Sequence, residues 1–209
     1  MEMERLRTML KKLILAGVIA AAAFAAPASA AVIFSDDFNG ENGGTGVLNY
    51  GTATGSFANW TVTQGSVDLI GNGYFDFYPG NGLYVDMDGS TGQSGGITTN
   101  ATFGAGSYLL TFDLGGSARG ETNTVIVQFD GNTIGSFTLN SGDPLTAESI
   151  SFSSATGGKL AFIQTNPGDN MGLILDNVQL STAAVPEPMT LSLFGAGLAA
   201  ISLRRRKKA

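Results

Sequence analysis

Residues 107–114 read Ser-Tyr-Leu-Leu-Thr-Phe-Asp-Leu. Tyr108, Leu110, Phe112 and Leu114 alternate with Leu109, Thr111 and Asp113, the period-two pattern of a strand with one buried face. Val125, Val127 and Phe129 repeat it in the next apolar run, and Asp130-Gly131-Asn132 after them is a hairpin turn, because Gly and Asn tolerate positive φ. Outward from this pair, residues 31–184 hold 27 Gly and many Thr, Ser and Asn, and no window shows a capped helical period. Short runs rich in Val, Ile, Phe, Tyr and Thr, spaced by turn residues, mark a sandwich or barrel.

Strands are expected over Val32–Phe38, Phe57–Thr63, Ser66–Ile70, Tyr74–Tyr78, Leu83–Met87 and Gly96–Thr99. They continue over Ser107–Leu114, Thr122–Phe129, Thr133–Leu139, Glu148–Ser153, Lys159–Thr165 and Met171–Leu180. Twelve short strands in about 150 residues fit one two-sheet domain, with no long linker and no clean repeat.

Composition removes whole classes of chemistry. The 209 residues include no Cys and no His. Disulfides, thiolate nucleophiles, His-ligated zinc and a Ser-His-Asp triad are therefore excluded. The net charge of −6 averages unlike parts. Nine of the 11 basic residues lie in the first 30 or the last 25 positions. Between them only Arg119 and Lys159 face 14 carboxylates, leaving that stretch at −12. Such a domain repels nucleic acid and attracts cations.

Both ends read as addresses. Met1–Lys12 is a basic n-region, Leu13–Ala26 is an apolar run of 14 residues, and Ala28-Ser29-Ala30 places small residues at −3 and −1. This is a secretory signal peptide over residues 1–30, with cleavage expected after Ala30. At the other end Val185-Pro186-Glu187-Pro188 precedes Met189–Leu203, an apolar run of 15 residues. Arg204-Arg205-Arg206-Lys207-Lys208 closes it as a stop-transfer element would. The two prolines leave Pro186-Glu187-Pro188 extended and open to a protease, ahead of a single hydrophobic helix.

The three parts of residues 185–209, in this order, closely resemble the PEP-CTERM sorting signal of Gram-negative bacteria. The resemblance implies recognition and cleavage by an exosortase, with a transient inner-membrane tail anchor. It also implies a destination in the outer cell envelope or extracellular matrix, where exopolysaccharide and biofilm are made.

The middle resembles the jelly-roll domains of carbohydrate-binding modules and of other PEP-CTERM proteins. The likeness rests on the opening Ser35-Asp36-Asp37-Phe38, the strand and turn Gly82–Ser90, and the closing Leu175-Asp176-Asn177-Val178-Gln179-Leu180. It implies an all-β jelly-roll β-sandwich over residues 31–184. It also implies a structural calcium where first and last strands meet, with Asp36, Asp37 and Asp176 as candidates. Asp86-x-Asp88-Gly89-Ser90 looks like the start of a second calcium loop, although later ligands are missing. The alternative for all five Asp residues is capping of turns.

Sugar sites stack an aromatic ring on a sugar face and bond its hydroxyls with Asp, Asn and Gln. Candidates are Trp60 and, in a stretch that also holds Asn72, Asp76 and Asn81, Tyr74, Tyr78 and Tyr84, of which Tyr78, before Pro79-Gly80, is the better surface ring. Trp60 alternates as a core residue would. Arg119 is a candidate clamp for an acidic sugar, or a partner for a nearby carboxylate. No carboxylate pair sits in a glycosidase signature. The reading is a non-catalytic exported domain that associates with exopolysaccharide. Its rivals are a carboxylate-dependent glycan hydrolase or lyase and a self-associating matrix protein.

Overall fold

The computed structural model describes residues 30–183, so the signal peptide and the 185–209 tail lie outside the described residues. Residues 31–183 form a compact unit of their own. It holds eleven strands: β1 (Val32–Asp36), β2 (Trp60–Gln64), β3 (Asp68–Gly71), β4 (Leu83–Asp86), β5 (Gly96–Thr99), β6 (Gly106–Gly115), β7 (Thr122–Phe129), β8 (Asn132–Asn140), β9 (Thr146–Ser154), β10 (Leu160–Gln164) and β11 (Ile174–Thr182). One sheet runs β3-β4-β11-β6-β9, with β1 also paired to β11, and the other runs β2-β5-β10-β7-β8. All strand pairs are antiparallel. The architecture is the two-sheet sandwich that the strand pattern predicts, of the jelly-roll kind that the resemblance implies.

The alternation in residues 107–114 is borne out. Tyr108, Leu110, Phe112 and Leu114 are buried between the sheets, while Leu109 is exposed on the outer face. Val125, Val127 and Phe129 of β7 meet them from the other sheet. Rings interlock across the gap: Phe112 lies 5.0 Å from Phe162 on β10, and Phe34 of β1 lies 5.4 Å from Trp60 on β2, both edge to face. This geometry is favoured by the ring quadrupole and adds to the burial of large apolar surface. At the hairpin, Asp130 and Gly131 adopt φ of 51° and 75°, the paired positive values of a type I′ turn.

Eleven of the expected strands are present within a few residues. The twelfth, Tyr74–Tyr78, is a loop. It crosses the outer face of the first sheet, where Phe77 and Tyr78 cover Tyr84, Ile70 and Ile174 in a second, smaller apolar cluster. The aromatics that imitate a strand here serve as a lid over a sheet face.

The first and last strands close the domain. The Thr182 N–H donates to the Ala31 carbonyl at 2.9 Å, and the Ala31 N–H donates to Thr182 Oγ1 at 3.1 Å. Both ends of the sandwich therefore leave from one place. Among the described residues no helix is long and apolar enough to cross a membrane.

Candidate functional site

An open cleft of about 590 Å³ lies along the seam of β1 and β11, reaching the 58–59 segment and the turn at Gly40-Glu41. Its walls carry Asp36, Asp37, Glu41, Asn59, Asn177 and Gln179. Local sequence explains the shape. Asn177 takes φ of 49°, which Asn tolerates better than most residues, and the β6–β11 register slips between Asp176 and Gln179. The bulge exposes Asn177 while Asp176 beside it is fully buried.

Asp176 sits directly opposite Asp113 on β6. Burial pushes its carboxyl up to about 7, and the carboxylates of Asp113, Asp37 and Asp36 push the same way. The backbone N–H of Asn177, at 2.7 Å, opposes them. The structure thus gathers the three seam candidates Asp36, Asp37 and Asp176. It adds three groups that sequence reasoning missed: Asp113, Glu41 and Asn177. The only signal for Asn177 was a polar residue breaking the alternation of the last strand.

The carboxylates fit calcium in kind, because hard cations take six to eight oxygen ligands. They do not fit it as placed. Asp36 uses Oδ1 on the Phe38 N–H at 2.9 Å and Oδ2 on Trp60 Nε1 at 2.9 Å and Asn59 Nδ2 at 3.0 Å. Among the described residues no three acidic side chains meet closely enough to hold a metal ion.

Glu41 is buried and equally committed. Oε1 accepts the Ala58 N–H at 2.9 Å, and Oε2 accepts the Tyr50 hydroxyl at 3.2 Å. Asp37 is left as the exposed carboxylate of the cleft, with one oxygen on the Asn39 N–H at 3.1 Å. A glycosidase acid–base pair needs two carboxyls free to meet substrate, and this wall offers one.

Asp86 and Asp88 lie elsewhere. Asp86, almost fully buried, pairs with Arg119 and accepts the N–H groups of Gly172 at 2.9 Å and Asp88 at 3.0 Å. Burial pushes it up to about 7 against the pull of Arg119. Asp88 accepts the Asp169 N–H at 2.9 Å through Oδ2, while its buried Oδ1 has no hydrogen-bond partner among the described residues. Arg119 is committed as well. It bonds Asp86 and the Asn170 carbonyl and lies 4.9 Å over the Phe77 ring. That is a carboxylate partnership within the fold rather than an open clamp.

Of the four aromatic candidates, Trp60, Tyr84 and Tyr78 are taken up in contacts within the fold. Trp60 is 2% exposed in the core. Tyr84 is fully buried, donates to Asp76 Oδ1 at 2.9 Å and accepts the Tyr78 N–H at 3.0 Å. Burial raises its pKa further above the usual phenol value. Tyr78 is half-buried, its hydroxyl 2.7 Å from the Gly116 carbonyl and 2.9 Å from that of Asp143. The exposed rings are the fourth candidate, Tyr74, and its neighbour Phe75, which the sequence reading did not single out.

The segment beyond β11 decides the chain's destination. Residues 184–207 match the PEP-CTERM protein-sorting motif. The chain carries a PEP-CTERM sorting signal. The signal implies an exported chain that is anchored at the membrane until an exosortase processes its tail. No curated protein matches it. Its sandwich is similar to the K3 cleaved adhesin domain of Lys-gingipain from Porphyromonas gingivalis, at 16% identity and a TM-score of 0.52, covering 73% of this chain and 99% of that one. The K2 adhesin domain of Lys-gingipain aligns at 14% identity and 0.50, over 70% of this chain and 98% of that one. The CBM22-1 xylan-binding domain of Xyn10C from Paenibacillus barcinonensis aligns at 14% identity and 0.49, over 77% and 99%. At such identities the likeness to the two adhesin domains speaks for the fold of this chain alone.

Proposed function

We propose that this protein is a non-catalytic component of the outer envelope or extracellular matrix that associates with exopolysaccharide. The cleft along β1 and β11 carries the reading. Its walls of carboxylate, amide and hydroxyl groups suit a ligand rich in hydroxyls, and it holds no basic side chain. Asp36 and Glu41 are held in structural hydrogen bonds, which leaves no pair for acid–base work. The PEP-CTERM tail delivers the domain to the cell exterior.

The test is a glycan-array screen of the exported protein, with and without calcium, against Asp37→Ala and Gln179→Ala. Saturable binding, weakened about tenfold or more in the variants, fits the reading. Absence of binding to any glycan contradicts it.

A further inference from the structure

The segment joining β3 and β4 displays the two neighbouring rings of Tyr74 and Phe75, 37% and 55% exposed and packed edge to face at 4.9 Å. Single exposed apolar residues are ordinary. This pair differs in three ways.

First, the backbone at Phe75 has φ of 45°. That conformation suits Gly, Asn or Asp and disfavours a bulky side chain. Its ring gains little burial in return, so folding alone gives no reason for Phe at this place.

Second, the knuckle is held in place. Gly71 and Tyr74 exchange backbone hydrogen bonds at 2.8 and 3.0 Å, and Asp76 Oδ2 accepts the Gly73 N–H at 3.0 Å. The Tyr74 ring lies so close over Gly46 that a Cβ there would come within 2.7 Å of it. Rings fixed before binding lose little freedom when a ligand arrives.

Third, the knuckle is tied to a turn that reaches the cleft. Asn72 Nδ2 donates to the Gly44 carbonyl at 3.3 Å. Gly44 ends the Glu41–Gly44 turn, whose Glu41 lines the cleft.

We propose that Tyr74 and Phe75 form a stacking platform for the apolar face of a pyranose ring in a neutral or amino-sugar polysaccharide. The same glycan chain then passes over the Glu41–Gly44 turn to hydrogen-bonding groups of the cleft. The domain's charge of −12 selects against uronic acids and sulfated sugars. The platform rests on the glycan-binding reading above and assigns it a ring-stacking site.

The experiment is affinity electrophoresis of the exported protein through gels holding xylan, a mixed-linkage β-glucan, galactomannan, chitosan or alginate, with melting temperatures measured alongside. Wild type is retarded by at least one neutral or amino-sugar polymer and not by alginate. Phe75→Gly loses about tenfold or more of that affinity while melting no lower than wild type, since Gly relieves the positive φ. Tyr74→Ala also weakens retardation. If Phe75→Gly is retarded as wild type is, the platform is wrong and glycan binding by the cleft stands. Retardation by alginate alone refutes the neutral-sugar assignment. Retardation by no polymer overturns the platform together with the glycan reading.

Discussion

Asp176 on β11 stands directly opposite Asp113 on β6, two acidic residues paired across neighbouring strands beside the acidic seam. Asp176 is fully buried, and its carboxyl is held up to about 7 against an ordinary value of 3.8. The folded chain therefore keeps a proton at Asp176 over a range where the unfolded chain has lost it. Stability falls as pH rises from about 4 to about 7 and levels off above. Thermal unfolding at pH 5 and pH 8 checks this. The melting temperature is expected to be higher at pH 5, with the difference reduced in Asp176→Asn. A flat profile in wild type refutes the buried-proton account.

Calcium at the seam would act on the same group in the opposite sense, by favouring ionised Asp176. Asp36 is engaged by Trp60 and Asn59, and among the described residues no three acidic side chains converge. A calcium titration at pH 8 is therefore expected to leave the wild-type melting temperature unmoved. A rise that Asp176→Asn abolishes contradicts this.

Arg119 is the one basic side chain facing the buried Asp86. Removing it leaves a carboxylate without its cation. Arg119→Ala is expected to cost about 2 kcal/mol, below the range for fully buried pairs because Arg119 keeps a quarter of its side chain in water. Asp86→Asn in the same chain recovers part of the loss. Urea denaturation of the single and double variants measures both.

Tyr84 links Asp76 to the Tyr78 backbone. Tyr84→Phe keeps the ring and loses both bonds, at an expected cost of about 1–2 kcal/mol by chemical denaturation. A cost near zero means that these two bonds add nothing to the lid beyond its apolar contacts and the Tyr78 hydroxyl.

The sorting tail has its own test. Replacing Pro186, Glu187 and Pro188 by Ala leaves an uncleaved, membrane-bound form on a fractionation blot. Unchanged size and location contradict exosortase processing.

The fold is legible wherever alternation and turn chemistry agree. Residues 107–114 and the Asp130-Gly131 turn carry their conformation locally, so burial and φ follow the sequence. The loop at Tyr74–Tyr78 imitates a strand because strand-like aromatics also serve to cover a sheet face from outside, a tertiary fact with no period of its own. The seam Asp residues can be paired through a resemblance of first and last strands. Asp113 and Glu41 cannot, since they join the seam through cross-strand register and a buried turn. Phe75 escapes for a similar reason, because its interest lies in a positive φ that no side-chain pattern announces.

The central claim, passive association with a polysaccharide, is tested most directly by mixing the exported protein with native exopolysaccharide and measuring retention on the polymer and release of sugar ends together. The account predicts saturable retention with no reducing ends or unsaturated sugars set free. Release of either product, or no retention at all, contradicts it.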